Sequence, residues 1–154
     1  MAKHLRAWSA VAATTAAAAA IVAVPGSAQA GNYTVNNCPS GYVCAYNGSN
    51  LSRTIVSKSS GSWTGTGYQI KSLFNNGKAY AGADHIRYTG TIYYTDGSFA
   101  NVTGCLHYNT GSSSPSSGSY VNFPGEATKI STAKWGGECN SNEPVRKIGP
   151  RFYP

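Results

Sequence analysis

Acidic side chains are scarce: the 154-residue chain has five Asp and Glu against twelve Lys and Arg, with three His and one Met. An enzyme needs a cluster of groups that exchange protons, attack or hold a metal, and this inventory is a poor one for that purpose. The chain also lacks a Gly-x-Ser-x-Gly elbow, a His-Glu-x-x-His pair, a phosphate-cradling loop and a dinucleotide fingerprint. No enzyme and no cofactor are therefore expected. No segment sustains a 3.6-residue apolar period, which excludes a helical fold. Nor is there a Lys/Arg cluster, so no nucleic-acid partner is expected.

The one long apolar stretch stands at the N terminus. Lys3, His4 and Arg6 precede an Ala-rich run that ends in Ala28-Gln29-Ala30, a small-residue cleavage pattern. This predicts a secretory signal peptide removed after Ala30. The run is interrupted by Thr14 and Thr15 and followed by Pro25 and Gly26. It is short of the roughly 20 residues that span a bilayer, so no membrane association is expected after its removal. Gly31 to Pro154 then forms a single secreted, extracellular domain, expected to be a monomer. Without Lys3 and Arg6, ten basic residues face five acidic ones, a modest positive charge that favours solubility.

All four cysteines, Cys38, Cys44, Cys105 and Cys139, follow the signal, and an even count in an exported chain implies a disulfide framework. Of three formal connectivities, the spacing favours Cys38 with Cys44, a tight loop, and Cys105 with Cys139, a staple between distant segments.

Short runs rich in Val, Ile, Thr and Tyr recur between Gly, Asn, Asp and Ser clusters, the pattern of an all-β fold. Strands are expected at Tyr42 to Tyr46, Arg53 to Lys58, Tyr68 to Phe74, Lys78 to Ala83, His85 to Thr89, Thr91 to Thr95, Val102 to Tyr108, Tyr120 to Phe123, Thr128 to Ser131 and Val145 to Ile148. Asn47-Gly48, Asn76-Gly77 and Asp96-Gly97 read as hairpin turns. The Gly/Ser-rich stretch near 110–119 reads as a surface loop within one domain, because the Cys105 to Cys139 bridge crosses it. Pro144 to Pro154 reads as an extended, proline-containing arm over the surface.

Few side chains suggest chemistry. Asp84 and His85 are adjacent, so on a strand they would face opposite ways and could not act as an orienting pair. Cys105-x-His107 puts a thiol and an imidazole on one strand face, but oxidation of Cys105 removes the nucleophile. Zinc needs Cys or His in paired short spacings, and none qualifies, so no metal is expected. Glu126, Glu138 and Glu143 show no spacing that singles out a glycosidase pair. Eleven Tyr, four Phe, Trp63 and Trp135 offer flat faces for sugars, and the two Trp are the candidate glycan platform.

The segment CPSGYVCAYNGSNLSR, Cys38 to Arg53, resembles the opening of peptidase inhibitor family 36, from the Cys-Pro-x-Gly turn to Tyr46. A weaker similarity runs through Lys71-Ser72-Leu73-Phe74-Asn75-Asn76-Gly77. The type member of that family is a secreted actinobacterial metalloproteinase inhibitor. The resemblance implies a βγ-crystallin-like Greek-key β-sandwich, with Tyr46, Leu51 and Arg53 at the aromatic, apolar and small positions; Arg53 replaces the usual Gly. Calcium at the crystallin-type position, here Gln69-Ile70-Lys71-Ser72, is not expected because a lysine replaces hard oxygen ligands.

By the same resemblance, the function expected is inhibition of an extracellular protease through a rigid, disulfide-braced loop. Cys105, Leu106 and His107 are its counterpart here, with Leu106 entering the protease pocket and Cys139 as the distant brace. The alternative is a cell-wall glycan-binding or envelope-associated module of the same fold without inhibitory activity, resting on the tyrosines, Trp63 and Trp135.

Overall fold

Along Tyr42–Tyr46 (β1), Val43 and Ala45 alternate with Cys44 and Tyr46, and all four side chains are buried. A strand buried on both faces lies between two layers, and the layers here follow from that alternation. The protein is seen in a computed structural model that describes residues 32–65 and 69–154. The expected signal peptide and Tyr68 lie outside the described residues.

After β1 come Ile55–Ser59 (β2), Trp63–Thr64 (β3), Ser72–Asn76 (β4), His85–Tyr93 (β5), Phe99–Leu106 (β6), Tyr120–Asn122 (β7), Ala127–Gly136 (β8) and Lys147–Phe152 (β9). They form two antiparallel sheets, ordered β2-β1-β4-β7 and β3-β8-β5-β6-β9. The main core lies between them: Val43, Ala45, Leu73 and Val121 from the first sheet meet Ile86, Tyr88, Ile92, Val102, Leu106 and Ile130 from the second. On the outer face of the first sheet a second core joins Cys44, Tyr46 and Phe74 to Val35, Cys38 and Leu51. The Cys38–Cys44 disulfide ties the segment before β1 onto that face.

The all-β fold class agrees with the sequence, and β1 has the expected bounds. Other elements differ for local reasons. Lys78 to Ala83 is not a strand but a loop, closed by the Ala83 N–H donating to Tyr80 O. The two runs at His85 to Thr89 and Thr91 to Thr95 are one strand whose register with β8 shifts between Thr89 and Gly90. The C-terminal arm is instead mostly β9, an edge strand on β6, where Pro150 is tolerated. Asn76-Gly77 makes no hairpin. Asn76 is buried, and its amide donates to Tyr33 O and Cys38 O. In the Asn47-Gly48 connection the left-handed positions fall on Asn50, Leu51 and Arg53, at φ of 54°, 56° and 61°. Asp96-Gly97 does close a hairpin, between β5 and β6.

Candidate functional site

The β5–β6 hairpin fixes the site, because its register pairs Ile86 with Leu106 and so brings His85, at the start of β5, level with His107, just beyond β6. His85 is buried, 1% exposed, and its Nδ1 lies 2.6 Å from Asp84 Oδ1. Its Nε2 lies 2.9 Å from His107 Nδ1 and 3.1 Å from Glu138 Oε2. The two imidazoles meet edge to face at 4.9 Å, and the Tyr108 ring meets His85 at 5.6 Å. Asp84 and His85 thus do form an orienting pair, against expectation. Asp84 precedes the strand, so the rule that neighbours on a strand face opposite ways does not bind it. Its second oxygen accepts the Tyr80 backbone N–H.

The surroundings hold these groups firmly. Asn75, buried in β4 of the other sheet, donates its amide to Asp84 O and Leu106 O, the carbonyls just before His85 and His107. His107 donates its backbone N–H to Gly118 O. Gly118 has a φ of 77°, and a Cβ there would come 2.8 Å from His107 Cδ2, so a side chain at 118 would displace the ring.

Glu138 reaches His85 from the 137–146 loop, which is pinned along its length. The Arg87 guanidinium donates to Gly137 O, Glu138 O and both carboxylate oxygens of Glu143. Tyr88 donates its hydroxyl to Val145 O, the Cys105 N–H donates to Pro144 O, and Cys139 is bonded to Cys105. Gly104 makes this crossing possible, since a Cβ there would sit 2.1 Å from Val145 O. Burial pushes the Glu143 carboxyl up, but the Arg87 hydrogen bonds, the Asn140 N–H and the Arg87 charge together outweigh it, leaving Glu143 below its ordinary value. A depressed carboxyl stabilises the fold above its unfolded value and loses that contribution as pH falls through the folded one. The Arg87 clamp therefore holds at neutral pH and fails in acid.

The expected inhibitory loop is not where the sequence put it. Leu106 ends strand β6, has no exposed surface and packs in the main core. Cys105 is 1% exposed, and of the three residues only His107 reaches solvent. A side chain that fills the core cannot enter a protease pocket, so this placement is withdrawn. All four cysteines are paired as the spacing suggested, Cys38 with Cys44 and Cys105 with Cys139. The exposed arm of the second disulfide is on the other side, at Asn140 to Asn142.

The tryptophan platform is also corrected. Trp63 and Trp135 are half-buried against the core, and among the described residues their indole N–H groups are buried without a hydrogen-bond partner. Trp63 stands opposite Ala133 in the β3–β8 ladder, and Trp135 follows two positions on, so both rings share the core-facing side. The Trp135 ring edge still reaches a shallow, open cleft of about 280 Å³, lined by Gly41, Ser60, Lys78, Tyr80, Ala83 and Trp135. Tyr80, 71% exposed, is the aromatic side chain at its mouth. It sits on the 77–84 loop that also delivers Asp84, so the cleft and the histidine pair share one support.

Family models, curated proteins and solved structures were compared with the chain, and none matches. Among the described residues no helix is long and apolar enough to cross a membrane.

Proposed function

We propose that the protein is a secreted, non-enzymatic binding module of βγ-crystallin-like Greek-key type that recognises cell-wall glycan through the Tyr80–Trp135 cleft. The observation that carries this reading is an exposed aromatic ring beside a half-buried one across an open cleft, with Lys78 at hand. Sugar rings lay their C–H faces on such rings, and a shallow opening admits a polymer that a closed cavity would exclude. The signal-like N terminus and the paired cysteines support export, and the likeness of Cys38 to Arg53 supports the crystallin type. The measurement is retention on insoluble peptidoglycan and on chitin. The parent protein should be retained through moderate salt. Tyr80→Ala should lose at least about tenfold in retention, the worth of one exposed stacking contact of about 1.4 kcal/mol. Its thermal midpoint should match the parent's, because Tyr80 supports no core. Equal retention of parent and variant would remove the reading.

A second reading, inhibition of an extracellular protease, is favoured by the 137–146 loop rather than by Leu106. A loop held by a disulfide, an Arg clamp and backbone hydrogen bonds presents Asn140 to Asn142 with little entropy left to lose on binding. Titration against thermolysin-like and subtilisin-like proteases checks it. Stoichiometric inhibition lost on mutating Asn140 to Asn142, with glycan retention unchanged, would establish this reading in place of the first.

A further inference from the structure

We infer that the outer face of the five-stranded sheet binds a linear anionic polysaccharide, an interaction separate from the Tyr80–Trp135 cleft. Charge is unevenly placed along the chain. All five carboxylates, Asp84, Asp96, Glu126, Glu138 and Glu143, stand in connections between strands. The strands of this sheet instead carry Arg87, Lys129, Lys134, Lys147 and Arg151, half of the ten basic residues that follow Arg6. Arg87 is paired with Glu143 and Arg151 with Asp96. Ladder register puts the three lysines on one side of the sheet. Ile86, Tyr88 and Ile92 of β5 face the core, so Arg87, Thr89, Thr91 and Tyr93 face outward. Lys134 stands opposite Arg87, Lys129 opposite Thr91, and Lys147 opposite Thr103, which is itself opposite Thr89. Residues scattered in sequence thus meet on a face that holds no carboxylate of its own.

Between the lysines runs a row of hydroxyls. Thr64, Thr132, Thr89 and Thr103 stand directly opposite one another across β3, β8, β5 and β6, and Lys147 continues the row on β9. Strands about 4.8 Å apart make the threonine row roughly 14 Å long, with Lys129 and Lys134 roughly 7 Å to either side of it. The Thr89 and Thr132 hydroxyls are hydrogen-bonded at 2.9 Å, and Asn101, opposite Thr91, adds an amide. A charged sugar polymer offers the matching groups, hydroxyls along its length and negative charges at intervals. The end of the face argues against a nucleic acid. Tyr93, Phe99 and Phe152 are opposite one another there, but Phe99 and Phe152 stack on each other, with centroids 5.4 Å apart and planes at 23°. Rings that cover each other's faces leave little surface for bases to stack on, whereas a polymer held through charge and hydroxyls needs none.

The test is the binding of fluorescently labelled alginate, a linear polysaccharide with a carboxylate on every ring, followed by anisotropy at low salt with dextran as the neutral control. The parent should bind alginate and not dextran, with an affinity that falls as salt rises. Lys134→Gln/Lys147→Gln should weaken binding at least about tenfold, the scale set by two cations beside an anionic surface. Arg53→Gln/Lys58→Gln removes the same charge from outside this sheet and should bind like the parent. Thr89→Val/Thr103→Val keeps shape and charge, and should weaken binding about fivefold through two lost hydroxyls, with the salt dependence unchanged. All six side chains are exposed, so each variant should melt like the parent. Tyr80→Ala should bind alginate as the parent does, which keeps failure here distinct from failure of the cleft reading. No alginate binding at low salt, equal losses in the two charge variants, no response to the valines, or oligothymidylate bound as tightly as alginate would overturn the assignment.

Discussion

Leu106→Asp is expected to abolish folding rather than any single activity. Leu106 has no exposed surface and lies in the core between the two sheets. Truncating a buried leucine costs about 2–5 kcal/mol on its own. A carboxylate there must in addition be buried without a partner or be protonated at a further cost. The total is comparable with the roughly 5–15 kcal/mol that holds a domain together. Leu106→Ala should give a folded protein with a depressed midpoint, and the aspartate variant a chain unfolded at ordinary temperature, both read by circular dichroism. An aspartate variant that melts like the parent and loses only protease inhibition would restore Leu106 as an exposed contact and contradict the packing described here.

Removing the Cys105–Cys139 bond should have the second largest effect. The residues it joins are 34 apart in sequence, and on the chain-entropy model closing that loop is worth roughly 3–4 kcal/mol. For a domain of this size the midpoint of the Cys105→Ala/Cys139→Ala pair should fall by about 10–20 °C. The Cys38–Cys44 bond spans only six residues and is worth roughly 2 kcal/mol by the same relation, so its removal should cost less. The order of the two effects, measured in parallel melts, distinguishes a staple between distant segments from a local clip. Equal effects would mean that Arg87 alone holds the 137–146 loop.

Much of the scaffold could be read before the structure. Tyr42 to Tyr46 is a continuous apolar run between turn residues, the cysteine spacings separated a tight loop from a long one, and Asp96-Gly97 marked its hairpin. The losses have physical causes. The resemblance to an inhibitory loop placed Leu106 outside and the aromatic content placed Trp63 and Trp135 there, and a period-2 run could correct neither, because it shows that a strand has two faces but not which face meets the second sheet. Lys78 to Ala83 has apolar content but no cross-strand partner, and propensity without a partner makes no strand. The cluster of His85, His107 and Glu138 was hidden because its parts lie on β5, after β6 and in a braced loop. Counting outward from a two-residue Asp96-Gly97 turn would put His85 opposite Tyr108; the observed connection faces Tyr94 with Ser98, which shifts the ladder by one and brings His85 level with His107. Glu138 had no such signal, since its position depends on Arg87 and on the disulfide beside it.

Both the braced 137–146 loop and the histidine–glutamate cluster depend on Cys105 being bonded to Cys139 across the end of the β5–β6 hairpin. Peptide mapping of the purified protein under non-reducing conditions measures that directly. A peptide containing Cys105 should be found linked to one containing Cys139, with Cys38 and Cys44 joined to each other and no free thiol. Cys105 linked to Cys38 or Cys44, or recovered as a free thiol, would contradict the account.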